Sequence, residues 1–257
     1  MNNLIQNYVI ILKRLRAHHL SENFHRQSRK PMLSDLEMTA LALTAEYMSV
    51  SSELQLFRII KNTSLEGKIE RSVFNKRRRY LKPFMEHIQR TVAESMSASD
   101  IYIIDSKSVE ICKISRAKRS DICASENIRP SFGWVSSTKR HYYGYKLHMV
   151  CDSDGIVHSF DLTSANIHDV KYLTDVKHNL LNCTLLGDRG YISTDFQADL
   201  FTTSNINLSV PMRENQHNYQ PYSKEKRRMR KRGETLFSQL DAQFTMAVNY
   251  AKTIGGL

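Results

Sequence analysis

Apolar positions in the first third of the chain recur every three or four residues; beyond residue 100 that period gives way to short continuous apolar runs. Leu4, Ile5, Tyr8, Val9, Leu12 and Leu15 mark one face of a first helix. A polar, basic connector ends at Pro31, and Ser34-Asp35-Leu36-Glu37 has the form of a capping box opening a second helix to about Met48. Ser52 starts a short third helix to about Lys61, and 62–68, with Gly67, reads as a loop. A fourth helix is expected over 69–81. Pro83 suits the first turn of a fifth, which runs to about Met96. The stretch SMSASD, 95–100, reads as a linker.

From Asp100 the helical pattern stops. Residues 101–105 form a short apolar strand ending in a carboxylate, Asp105. Strands over 143–151 and 156–162 are joined by the turn sequence Asp152-Ser153-Asp154-Gly155. A helix is expected over 168–181, with Asn166 as its N-cap and Asp169 three residues on. Residues 183–188 are a second strand ending in a carboxylate, Asp188, followed by a helix over 194–203 and a strand over 206–211. In the closing helix, Phe237, Leu240, Phe244 and Val248 draw one stripe; Glu234 lies a turn before it, and Arg230 and Lys231 a turn earlier. The order predicts an α/β protein: a mixed sheet flanked by helices, preceded by a small all-helical region. We expect two domains, a helical one over 1–97 and a catalytic one over 98–257 with a basic insertion at 113–142.

Composition narrows the class. No apolar run approaches the roughly 18–20 residues of a membrane span. The N-terminal LIQNYVIIL is followed by KRLR, the reverse of a secretory signal's charge order, so a cytoplasmic protein is expected. Cys112, Cys123, Cys151 and Cys183 are spaced too widely for a zinc site and read as reduced core thiols. A formal net charge of +11 points to a polyanionic partner. The charge is clustered at Arg77, Arg78 and Arg79, at 113–119, at Lys139 and Arg140, and at 224–232, the footprint of DNA binding. Two short helices followed by the basic helix 69–81 resemble a helix-turn-helix that lays its last helix on DNA. The insertion also holds Phe132 and Trp134, which either stack on exposed bases or pack the insertion onto the sheet.

Three acids sit where an α/β fold can gather them: Asp105 and Asp188 at strand ends, Glu234 on the last helix. Carboxylates brought together repel unless cations hold them. Hard divalent ions such as Mg²⁺ or Mn²⁺ prefer such oxygen ligands, and two of them activate the attacking oxygen and stabilise the departing one in phosphodiester displacement.

IYIIDSKSV, LLGDRGY and RKRGETLFSQL resemble the three acidic motifs of DDE transposases of bacterial insertion sequences, most nearly the insertion sequence 982 family. The resemblance covers about 100–250. It implies a ribonuclease H-like fold, two Mg²⁺ or Mn²⁺ ions on Asp105, Asp188 and Glu234, and cleavage and strand transfer at the ends of an element. It also implies DNA as substrate and target, with a homodimer holding two ends. Arg77, Arg78, Arg79, Lys139, Arg140, Arg189, Arg227, Arg230 and Lys231 are the expected DNA contacts, and His168, in an Asn-x-His-Asp pattern, is a candidate contact to DNA or to the residues that hold the metal. Two features depart from the pattern: Gly233 precedes the glutamate, and the chain stops at Thr-Ile-Gly-Gly-Leu where relatives continue. They motivate one alternative, a truncated, non-catalytic DNA-binding derivative; the other alternative is a stand-alone ribonuclease H-like nuclease that cuts but does not join.

Overall fold

The computed structural model describes residues 3–18, 20–24, 30–50, 52–96, 99–215, 219–244, 246 and 252–256. The chain divides into two compact units, Met1–Ser95 and Met96–Leu257.

The first unit is helical: α1 (Asn3–Ala17), α2 (Asp35–Tyr47), α3 (Glu53–Ile59), α4 (Arg71–Tyr80) and α5 (Lys82–Met96). Leu4, Tyr8, Leu12 and Leu15 of α1 pack with Leu36 and Leu41 of α2, Phe74 of α4 and Phe84 and Ile88 of α5. Val9 is the exception to the expected stripe and is exposed. The capping box is complete: the Ser34 hydroxyl accepts from the Glu37 amide at 3.0 Å, and the Glu37 carboxylate accepts from the Ser34 amide at 2.8 Å.

The second unit carries a six-stranded sheet. Its strands are β1 (Ile101–Cys112), β2 (Ser131–Val135), β3 (Arg140–Asp152), β4 (Val157–Ser164), β5 (Cys183–Leu186) and β6 (Ile206–Ser209). β3 runs antiparallel to β1, β2 and β4, while β5 is parallel to both β1 and β6. α6 (Leu173–Asn179), α7 (Thr194–Ser204) and α8 (Lys224–Phe244) complete the unit. Val176 of α6 and Leu200 of α7 bury one side of the sheet against Ile104 and Leu185; Met229 and Leu236 of α8 pack on the other against Ile103 and Leu186. This is a ribonuclease H-like mixed sheet flanked by helices.

Several boundaries differ from the sequence reading. β1 does not end at Asp105 but continues to Cys112, because β3 pairs with it to Cys112 and satisfies its backbone after β5 has left. The basic insertion is partly sheet: β2 and the start of β3 form a hairpin from within it. The helix expected over 168–181 is a 3₁₀ turn at Asp169–Tyr172 followed by α6. Asn166 does not cap it; its side chain accepts from the Ser131 hydroxyl at 2.9 Å and so ties the β4 exit to β2. On α8, Gly233 and Phe237 are the buried positions; Phe244 is exposed, and Val248 lies outside the described residues.

Candidate active site

β1 presents its two faces to different neighbours. Ile103, Asp105 and Lys107 face α8: a Cβ on Gly233 would meet Ile103 and Asp105, and Lys107 pairs with Asp241 and lies 5.9 Å from the Phe237 ring centre. Ile104 and Ser106 face the opposite side, with Ile104 packed among Tyr172, Leu173 and Val176. In the parallel ladder Ile103 pairs with Leu186. Two residues further on stand Asp105, within β1, and Asp188, just past the end of β5, where β5 has turned away and the sheet opens. Strand C-termini at such a divergence are where α/β sheets build sites.

Asp188 caps a 3₁₀ turn at Arg189–Tyr191, its Oδ1 accepting from the Gly190 amide at 2.8 Å. α8 brings Gly233 against β1 and leaves Glu234, the next residue, exposed. An open pocket of about 420 Å³ lies beside Asp188, lined by Arg189, Pro211, Tyr222, Arg227 and Arg230. The Arg230 Nε is buried without a hydrogen-bond partner.

Burial is the main cause that pushes the Asp105 carboxyl up to about 6. The hydrogen bond from the Ser106 amide and the Arg230 charge oppose this, while the negative charges of Asp188 and Glu234 add to it. Asp105 thus lies within electrostatic reach of the Asp188 and Glu234 carboxylates and of the Arg230 guanidinium. This donor set, all carboxylate oxygen, suits a hard divalent ion such as Mg²⁺ or Mn²⁺. Among the described residues, no three His, Cys, Asp or Glu side chains stand together as a formed ligand shell.

Behind the acids, on the α6 side of the sheet, lies a polar cluster that sequence reasoning missed. Asp169 Oδ1 accepts from the Ser106 hydroxyl at 3.1 Å and pairs with Lys146 Nζ at 2.8 Å. Its Oδ2 would lie 2.9 Å from a Cβ on Gly190, so only glycine lets the Asp188 turn approach it this closely. The spacing from Asn166 predicts a helix-start role for Asp169, but its side chain instead reaches across to Ser106. Tyr191 is fully buried beside Ser106, its hydroxyl held well above the usual range by burial and then by Asp169, Asp105 and Asp188. His148, cross-strand from Ser106, is also fully buried, bonded to the Thr163 hydroxyl at 2.9 Å and stacked on Tyr172. The legible signal was Lys146, a lysine inside a long apolar strand, which requires an internal acid.

The expected DNA contacts fall into groups. Arg77 is tied to buried Asp35 at 2.5 Å and to the Leu33 carbonyl at 3.1 Å, and Arg78 to Glu46 at 2.7 Å. Arg79 is exposed. Lys139 is exposed in the β2–β3 turn, and Arg140 pairs with Glu110. Arg189, Arg227 and Arg230 gather at the pocket beside Asp188, and Lys231 faces solvent. Arg232, not singled out before, donates to the Asp154 carbonyl at 2.7 Å and fastens α8 to the β3–β4 turn. His168 is exposed at the start of the Asp169–Tyr172 turn.

A ribonuclease H-like sheet with carboxylates at its β1–β5 opening defines the class. Residues 95–250, more than half of the chain, match the family described as the transposase DDE domain, and the chain belongs to that family. No curated protein matches it. Transposases act on DNA, and DDE domains in general use divalent metal ions. Among the described residues no helix is long and apolar enough to cross a membrane.

Proposed function

We propose that this protein is the transposase of an insertion sequence, of the insertion sequence 982 family, and that it cuts the element's ends and joins them to target DNA. The observation that carries the reading is geometric: Asp105 and Asp188 each stand two residues beyond the paired Ile103 and Leu186, and Gly233 seats the helix that carries Glu234 against Asp105. Asp105, Asp188 and Glu234 would hold two Mg²⁺ or Mn²⁺ ions. When bound, such ions supply a nucleophilic oxygen at neutral pH and stabilise the charge on the departing one.

The chain's own residues then position the DNA. Arg227, Arg230 and Arg189 ring the pocket beside Asp188, with their charge available to phosphate oxygens of the strand to be cut. Arg230 influences Asp105 as well, so one guanidinium serves both the phosphate and the acid cluster. Asp169 positions from behind: it restrains Ser106, which follows Asp105, and abuts the turn that carries Asp188. The helical first unit, with Arg79 exposed on α4, is the proposed reader of the element ends, and a homodimer holds two ends together. The setting is the bacterial cytoplasm.

The test is a joining reaction. A duplex with a free 3′-hydroxyl at its end, mixed with plasmid target and Mg²⁺, gives covalently joined product if the protein is a transposase. Nicking without joined product identifies a nuclease. Tight DNA binding without either identifies a non-catalytic derivative.

A further inference from the structure

The β2–β3 hairpin carries four aromatic side chains on one face. Trp134 pairs with His141 and Phe132 with Tyr143 across the strands, with ring centres 4.6 and 5.1 Å apart. Such pairing ordinarily completes a core, yet Trp134 remains 51% exposed and Phe132 49% exposed. The inner side of the hairpin is packed: Tyr142 is buried, and its ring would collide with a Cβ on Gly133. Outside, the Phe132, Trp134 and His141 rings are held on a packed strand pair and left open to solvent, while Tyr143 packs partly against Ile111 and Tyr145.

Two further observations say what such a surface takes. First, side-chain alternation along β3 places His141, Tyr143, Tyr145, Leu147 and Met149 on one face, and Met149 pairs with Asp105. The rings at His141 and Tyr143 thus lie on the same sheet face as Asp105, six and eight residues from Met149, or about 20 and 27 Å along the strand, with Tyr145 and Met149 buried between them. Second, the segment 113–142 that builds the hairpin has seven Lys and Arg against Asp121 and Glu126. Lys113, Arg116, Lys118, Arg119, Arg129 and Lys139 are all exposed. Flat rings in a cationic setting favour unpaired bases on a phosphate backbone over an acidic peptide, which needs no aromatic faces.

We infer that the exposed rings of Phe132, Trp134 and His141, backed by the partly buried Tyr143, form a stacking platform for the unpaired bases of a single DNA strand. The inference rests on DNA being the substrate, but not on cleavage. A duplex hides its base faces and gains little from the platform, whereas a frayed or cut end offers them.

Trp134 is the chain's one tryptophan, so its emission reports on this face alone. The experiment titrates the full chain, without divalent metal, with a single-stranded oligonucleotide and with its duplex. The expected result is quenching of Trp134 emission by the single strand and much less by the duplex. Phe132→Ala and Trp134→Ala each weaken single-strand binding about ten-fold and leave duplex binding within about two-fold. Binding of the single strand without quenching overturns the inference, as does equal loss of single-strand and duplex affinity. Self-association that disappears in Trp134→Ala also overturns it, marking the face as a contact between copies. Because no cleavage is measured, an inactive Asp188→Asn protein that still shows the quenching separates failure of the catalytic reading from failure of this one.

Discussion

Gly233 of α8 crosses Asp105 of β1 so closely that a Cβ placed on the glycine would lie 3.5 Å from the Asp105 Cβ and 3.7 Å from its Oδ2. The same Cβ would be 3.3 Å from Ile103 Cγ2, tighter than ordinary packing. In the sequence this glycine looked like a defect, since glycine within a helix costs about 1 kcal/mol relative to alanine. The helix runs straight through it from Lys224 to Phe244. The missing side chain lets the helix that carries Glu234 sit down on the strand that carries Asp105. Gly233→Val is expected to destabilise the protein by about 1–3 kcal/mol through overpacking, measured by urea unfolding, with loss of DNA cleavage.

Two arginines expected to serve the same purpose are predicted to behave differently. Arg77 pairs with Asp35, which is 1% exposed and also accepts from the Phe24 amide, so Arg77→Gln removes the countercharge of a buried carboxylate and lowers stability by about 3–5 kcal/mol. Arg230 lines the pocket at Asp188 with its Nε unbonded. Arg230→Gln is expected to leave folding intact, weaken duplex binding evenly across sequences and reduce the salt dependence of binding by about one counterion. Thermal unfolding and filter binding across a salt series distinguish the two.

Asp169 makes the positioning role testable. Asp169→Asn keeps the shape but removes the charge facing Lys146 and Ser106. Cleavage should fall about 10–100-fold while DNA affinity in the absence of metal is unchanged, and the Mg²⁺ concentration for half-maximal cleavage should rise. An unchanged metal requirement would argue for a purely structural role.

Burial lowers His148 to about 4, with Asp169 opposing and Lys146 assisting the shift. The unfolded chain takes up a proton as pH falls through 6.5, while the folded protein stays neutral there until about pH 4. His148 therefore contributes full stability above pH 6.5, and that contribution is lost as pH falls toward 4, by at most about 1.4 kcal/mol per pH unit. His148→Gln should flatten this part of the stability–pH curve, as followed by urea unfolding at a series of pH values.

Much of the architecture was legible because local patterns and tertiary packing agree. The capping box at Ser34 and the apolar run 101–105 were read from short-range chemistry that the fold preserves. What sequence could not supply were relations between distant strands. β1 runs past Asp105 because β3 pairs with it, and the strand β2 lies in a segment that looked like a charged loop. Asp169 was hidden for the same reason: its partners, Ser106 and Lys146, lie 63 and 23 residues away, and its spacing from Asn166 already had a local explanation.

The central claim is that the β1–β5 opening is a metal-dependent DNA-cleaving centre, and Asp188→Asn tests it most directly. Supercoiled plasmid is incubated with Mn²⁺ and either the wild-type chain or the variant, and both proteins are shown to bind DNA equally in the absence of metal. The account predicts nicking by the wild-type chain that requires Mn²⁺ and falls at least a hundred-fold in the variant. Undiminished cleavage by Asp188→Asn would contradict it.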